Sequence, residues 1–449
     1  MRVARKLVPL AAVMALGIAA MAAAAAPSPA PELSPRGGAR WALAAETPTL
    51  GRPGANRVGT VRISVIVPRR PTMTDRGLQT GDHALPVRLF YPAGPGGAPA
   101  VYRHTIKLPK AAPFTLAEHG AAFAGAPPLR SGTFPLVIVS HGFGGWDTHM
   151  SRLCEAIASH GYVVTALDHG DTRFNDLPGF LASFGQVLVA RPLDQRTAVA
   201  ALLDQAARRQ GPLGLVDPAR PIGLIGYSMG GYGALGTAGA SYDPAAPAYA
   251  ALPPPVRQAI SQPSPVAGKI GALALLAPWG SQPDNRVWNA DALSRVTAPV
   301  LLIDGDQDDV VNYSGGVRWL LAALKGSHRQ LLTLQQAKHN IAGNQVDLPA
   351  DASADLIGYF REPVWRQERL NQVLAHFLVA FLDANLKADG SARRYLEVPV
   401  EESNRGEWPV ALGELTGATP AGDGQPKYWR GFARGWAVGM RLETRAKGE

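Results

Sequence analysis

Short, continuous apolar runs recur through the middle of the chain, and between them the apolar residues change to helical spacing. The runs are "PLVIVS" (135–140), "YVVTALD" (162–168), "PIGLIGY" (221–227), "GALALLA" (271–277), "PVLLID" (299–304) and "RQLLTL" (329–334). None shows an alternating polar face, which is the pattern of strands covered on both sides. Among the intervening segments, Val199, Leu202, Leu203 and Ala206 repeat at i, i+3, i+4 and i+7. Leu370, Val373, Leu374, Phe377, Leu378 and Phe381 do the same in the last long helix. Strands alternating with amphipathic helices predict an α/β fold, a mostly parallel central sheet with helices on both faces. "TVRISVIVP" and "LPVRLFYPAG" ahead of it read as an antiparallel strand pair, and the stretch 102–132 reads as irregular. Residues 241–268 interrupt the alternation, either as part of a lid or pocket wall or as a surface excursion.

The ends of the chain are of different composition. Residues 1–26 carry Arg2, Arg5 and Lys6, then an Ala/Leu/Val/Met run closing on Ala-x-Ala, which predicts a secretory signal peptide cut near Ala26 rather than a retained anchor. Residues 27–58, rich in Pro and Ala, read as a linker, and 59–395 as the catalytic-type domain. Residues 396–449, with Trp408, Trp429 and Trp436, read as an extension packed on that domain. The formal charge of +9 is spread over scattered Lys and Arg, three of them in the leader, so a nucleic-acid partner is not expected. After cleavage no stable membrane insertion is expected, and the oligomeric state is not legible. The single Cys154 sits in a helical pattern and reads as a small buried apolar residue.

Chemistry enters at "GLIGYSMGGYGALGTAG", where Gly226-Tyr227-Ser228-Met229-Gly230 fits G-x-S-x-G between a strand and a helix. So tight a turn lifts a serine hydroxyl above the sheet beside the first amides of the helix, and flanking side chains would collide with backbone. A hydroxyl nucleophile needs a base, and the base an orienting acid, from later strand ends. "PVLLIDGDQDDVV" offers Asp308 ahead of Asp309 and Asp306, with Asp304 still in the strand. "LLTLQQAKHNIAGN" offers His339, better placed than His328 before the strand or His376 in the final helix. In "VIVSHGFGGWDTHM", glycines would let the Phe143 amide converge with that of Met229 on a developing oxyanion. Trp146 and Trp279 are candidates to line a substrate pocket. His169 and Asp171 lack any repeated metal-ligand spacing and read as a hydrogen-bonded turn; no nucleotide fingerprint is present, and no cofactor is expected.

Over roughly residues 59–390 these motifs stand in family order: "LFYPAG", "FPLVIVSHGFGG", "GYVVTALDHGD", "IGLIGYSMGGYGAL", "DGDQDDVV" and "HFLVAFLDANL". The chain resembles the α/β-hydrolase superfamily. More closely it resembles exported dienelactone-hydrolase-like proteins related to platelet-activating-factor acetylhydrolases and to cutinase-type polyester hydrolases. The resemblance implies Ser228 as nucleophile, Asp308 as acid, His339 as base, and Phe143 and Met229 as oxyanion donors. It also makes Trp279 similar to an aromatic beside the polyester-hydrolase cleft. Two departures stand out: dienelactone hydrolases proper carry a cysteine where this chain has Ser228, and Lys338 precedes His339 where glycine is frequent. The expectation is an exported serine esterase acting on a small-molecule or polymeric ester without a cofactor. An acyltransferase or a polyester or phospholipid acyl hydrolase with the same triad is one rival, and a non-catalytic envelope-binding protein on a hydrolase scaffold is another.

Overall fold

The computed structural model describes residues 46–74, 77–106, 113–171, 177–408 and 425–449. The expected leader and the first part of the linker lie outside them. The described chain forms one sheet of eleven strands with helices on both sides. The strands are β1 (Val58–Thr74), β2 (Gly77–Pro92), β3 (Ala98–Ile106), β4 (Phe114–Ala124), β5 (Leu136–Ser140) and β6 (Val163–Leu167). They continue with β7 (Ile222–Tyr227), β8 (Ile270–Leu276), β9 (Val300–Gly305), β10 (Arg329–Leu334) and β11 (Met440–Arg445). Across the sheet the order is β11-β10-β9-β8-β7-β5-β6-β2-β1-β4-β3.

From β6 to β10 every pairing is parallel, and these are the apolar runs of the sequence. Every residue of β5, β6, β7, β9 and β10 is buried, as a sheet covered on two faces requires. Two glycines of β7 show the two covers. A side chain at Gly223 would meet Leu382 and Leu386 of the helix Gln367–Leu386, whereas one at Gly226, on the opposite face, would meet Gly230 of the helix Met229–Thr237. Helix Ser151–Ser159 packs with the first of these and the long helix Leu177–Ala207 with the second. No described helix is long and apolar enough to cross a membrane.

The antiparallel pair β1–β2 is present and joins the parallel part through β2–β6. Part of the stretch expected to be irregular is regular: β3 and β4 pair antiparallel at the sheet edge. Ala100, Tyr102 and Ile106 of β3 are buried in alternation with polar neighbours, a half-buried edge pattern that lacks the continuous apolar run of the central strands. From residue 46 the chain is tied down rather than linker-like, with the Thr49 amide on the Gly431 carbonyl (2.9 Å) and the Leu50 amide on His376 Nδ1 (3.2 Å). The C-terminal segment goes further than packing on the domain, since β11 is itself the edge strand against β10. Trp429 is buried beside Phe377, and Trp436 stays partly exposed. In 241–268, Tyr242 and Tyr249 are buried against Tyr232, so this part is core rather than a free excursion.

Strand order sets the place of the site. The chain leaves β5 for β6 on one side and then crosses to β7 on the other, so the carboxyl ends of β5 and β7 splay apart into a crevice, the usual ligand position in an open α/β sheet. Ser140 ends β5 and Tyr227 ends β7, leaving His141–Gly145 and Ser228 face to face.

Candidate active site

Ser228 sits between β7 and the helix Met229–Thr237 with φ 50° and ψ −114°, a backbone conformation that costs a non-glycine residue about 1–3 kcal/mol. Its surroundings enforce the turn. A Cβ at Gly226 would stand 2.4 Å from the Gly230 carbonyl oxygen, and one at Gly230 would stand 2.1 Å from that of Ser140. The Ser228 amide donates to Leu276 (2.9 Å), and its carbonyl accepts from Tyr232 and Trp279 (3.1 Å each). The residue is 7% exposed, with its side chain turned to His339.

His339 follows β10 and brings Nε2 to 3.1 Å from Ser228 Oγ, while its Nδ1 lies 2.6 Å from Asp308 Oδ2. With Nδ1–H given to the carboxylate, the Nε2 lone pair faces the hydroxyl. Asp308 Oδ1 accepts the amides of Val310 (2.8 Å) and Val311 (3.1 Å). Burial alone would raise this carboxyl, but His339 and these donors hold it below the ordinary carboxylate value. The base's loop is pinned on two sides: Tyr227 donates from its hydroxyl to the His339 carbonyl (3.2 Å), and Glu362 accepts the Lys338 amide (3.0 Å).

The other acids of the same loop have different partners. Asp309 forms an exposed pair with Lys338 (3.1 Å), and Asp306 accepts the Gln336 amide (2.7 Å). Asp304 is fully buried, and burial together with neighbouring Asp308 pushes its carboxyl well above the ordinary range. His328 precedes β10, and His376 is buried in the final helix against Leu50, so neither reaches Ser228.

Opposite the serine, Gly142–Gly145 makes a turn closed by the Gly145 amide on the Gly142 carbonyl (3.2 Å), with Gly144 at φ 71° where a type II turn needs glycine. Gly142 lies against the serine, since a Cβ there would be 3.2 Å from Ser228 Cβ. Phe143 is the next residue. Met229 opens its helix, so its amide has no acceptor within that helix.

The two tryptophans are packed inside rather than displayed on a pocket surface. Trp146, 3% exposed, lies between the rings of His104 (centroids 4.2 Å) and His149 (4.8 Å), in a small cluster with Ile106, Leu116 and Phe360. Trp279, 1% exposed, stands edge-on to Phe184 (5.2 Å) and Tyr232 (5.8 Å). Phe184 also meets Phe143 (6.2 Å) and carries this aromatic row to the crevice. Sequence reading missed Phe184 and the buried Arg191, and placed Asp171 in a hydrogen-bonded turn without its partner beneath the Gly142–Gly145 turn. A charged residue closing the apolar stretch Val187–Ala190 just before Pro192 was the one available signal for Arg191.

Residues 116–174 match the family described as platelet-activating factor acetylhydrolase, isoform II. A platelet-activating factor acetylhydrolase of Canis lupus familiaris is 44% identical over 45 residues, a stretch that covers 10% of each chain. The family match runs from β4 through β6 and includes Phe143 and Trp146, but ends before Ser228. Over this part the chain is similar to α/β-hydrolase-type serine esterases.

Proposed function

We propose that this chain, with an α/β-hydrolase-like sheet and local similarity to acetylhydrolases, is a serine hydrolase that cleaves carboxylic esters. The reading rests above all on the row Ser228 Oγ, His339 Nε2 (3.1 Å), His339 Nδ1 and Asp308 Oδ2 (2.6 Å), built at the crevice on a serine held at φ 50°. His339 takes the proton as Ser228 Oγ attacks the ester carbonyl, and Asp308 holds the tautomer and balances the imidazolium. The amides of Phe143 and Met229 receive the oxyanion. Collapse of the tetrahedral intermediate expels the alcohol, protonated by His339, and leaves an acyl-enzyme. Water, activated by the same imidazole, releases the acid.

The acyl group is short in this reading. Phe143, on the turn opposite Ser228, is packed against Phe184, and the similar canine protein is by its name an acetylhydrolase. The leader-like residues 1–26 support export of the mature enzyme. The test is hydrolysis of p-nitrophenyl esters from acetyl to palmitoyl, with Ser228→Ala as the blank. Activity should peak at acetyl to butyryl and fall by about 10⁴–10⁶ in the variant. A peak at palmitoyl would overturn the short-acyl part, and turnover that survives Ser228→Ala would overturn the whole. Adding an alcohol acceptor and analysing products separates hydrolysis from acyl transfer.

A further inference from the structure

Beneath the turn that carries Phe143 lies a group of charged side chains for which the reaction above has no use. Asp171 and Arg191 pair through both guanidinium nitrogens (2.7 Å each), with side chains 3% and 0% exposed. A buried ion pair is weak support for stability, so its remaining contacts carry the interest. Arg191 Nη2 donates to the Gly142 carbonyl (3.0 Å), and Asp171 Oδ2 accepts the Gly144 amide (2.7 Å). His141 Nδ1 donates to the same carbonyl (2.7 Å), and its Nε2 accepts the His169 amide (3.2 Å). His169 in turn is held by Ser140 Oγ and Asp194 (2.8 Å each), and Asp194 by Arg70 (2.9 Å).

The peptide joining Gly142 to Phe143 is planar and trans, so its C=O and N–H point in opposite directions. Arg191 and His141 draw the oxygen into the protein interior. The Phe143 N–H is thereby turned the other way, to the side where Gly142 meets Ser228. Asp171 fixes the amide that follows, so both ends of the Phe143 unit are clamped.

We infer that the Arg191–Asp171 pair is a positioning device for the oxyanion donor: it sets the direction of the Phe143 amide without touching the substrate. This deepens the serine-hydrolase reading and rests on it. The protonation states agree with the hydrogen bonds. Burial would raise the Asp171 carboxyl, but Arg191 and the Gly144 amide hold it below the ordinary value. Burial and Arg191 push the His141 imidazole down to about 3, leaving one nitrogen to donate and one to accept.

The test compares wild type with Asp171→Asn, which keeps an oxygen for the Gly144 amide and removes the charge that orients Arg191. On p-nitrophenyl acetate kcat should fall about 10–100-fold, part of the loss seen when one oxyanion donor is removed, with KM within about twofold. The same proteins are titrated with a trifluoromethyl ketone. Ser228 Oγ adds to the ketone carbon, the carbonyl electron pair becomes a hemiketal oxyanion, and the serine proton passes to His339. The inhibition constant should rise by the same factor as kcat falls, which a loss of general stability would not produce. Should Asp171→Asn not fold, Arg191→Lys, which keeps the charge and removes the fork, carries the same expectation. A folded variant with unchanged kcat, or with kcat lowered and ketone affinity intact, overturns the positioning role. A wild type that neither turns over the ester nor binds the ketone overturns the serine-hydrolase reading, and the positioning role with it.

Discussion

The two sides of the crevice are held by different means. On the acid–base side the acid is held locally, Asp308 by the amides of Val310 and Val311, while the His339 loop is held by Glu362, 24 positions from Lys338, and by Tyr227 beside the nucleophile, 112 positions from His339. On the oxyanion side support comes from a buried ion pair, Arg191 lying 49 positions from the Gly142 carbonyl that it holds and Asp171 27 from Gly144. Local support follows from loop geometry and can be built by a few neighbouring residues. The hold of Arg191 exists only after the helix Leu177–Ala207 has docked on the sheet. The acid–base side should therefore break most sharply at Asp308, and the oxyanion side less sharply at Asp171 or Arg191 and also with the packing of that helix.

The largest expected break is at Asp308. Asp308→Asn should lower kcat by about 10⁴ through loss of the working tautomer, whereas Asp309→Asn, which loses only an exposed pair with Lys338, should stay within about twofold. Equal losses from the two substitutions, measured on p-nitrophenyl acetate, would remove the distinction between the acids.

The pH profile sharpens the same point. The Asp308 carboxyl lies below its ordinary value of 3.8, held there against burial by His339 and its amide donors, so it is charged above that value. Above pH 3.8 log kcat/KM should therefore show no proton taken up by Asp308, and a slope of two in the acid limb there would show that this carboxyl is not depressed. Asp308 and Asp171 both have depressed folded-state values, so the stability they contribute is full above 3.8 and is lost as pH falls through those values. Acid unfolding followed by circular dichroism reads this directly.

Glu362→Ala tests how far the acid–base side depends on one neighbour. Glu362 accepts the amides of Lys338 (3.0 Å), Val364 (2.7 Å) and Trp365, and its removal should cost about 1–3 kcal/mol of stability for the amides left without an acceptor. Activity should drop less than in Asp308→Asn, because His339 keeps its carboxylate. The smallest effect belongs to Cys154, buried in the helix Ser151–Ser159 with its thiol pushed up by burial. Native protein should not react with a thiol reagent, and Cys154→Ala should cost about 1 kcal/mol with unchanged turnover.

The same division explains what could be read from the sequence. The runs 135–140, 221–227 and 299–304 announced the parallel core because strands covered on both faces have to be apolar throughout. Gly226 and Gly230 announced the elbow around Ser228 because the close approaches at the two glycines exclude side chains. The pair β3–β4 was hidden by its edge position, where half of each strand meets solvent and the apolar signal halves with it. β11 was hidden because its partner β10 lies more than a hundred residues earlier, with no local turn to betray the pairing. Asp171 was seen as part of a turn, yet nothing near it in sequence names Arg191 as its partner.

The left-handed backbone of Ser228 sets durability against chemistry at one residue. Glycine accepts that conformation freely, so Ser228→Gly should give a protein that resists heat better than the wild type and cleaves nothing. A library selected for thermal resistance alone would drift toward such dead variants, and any programme of hardening this protein would have to score turnover in every round.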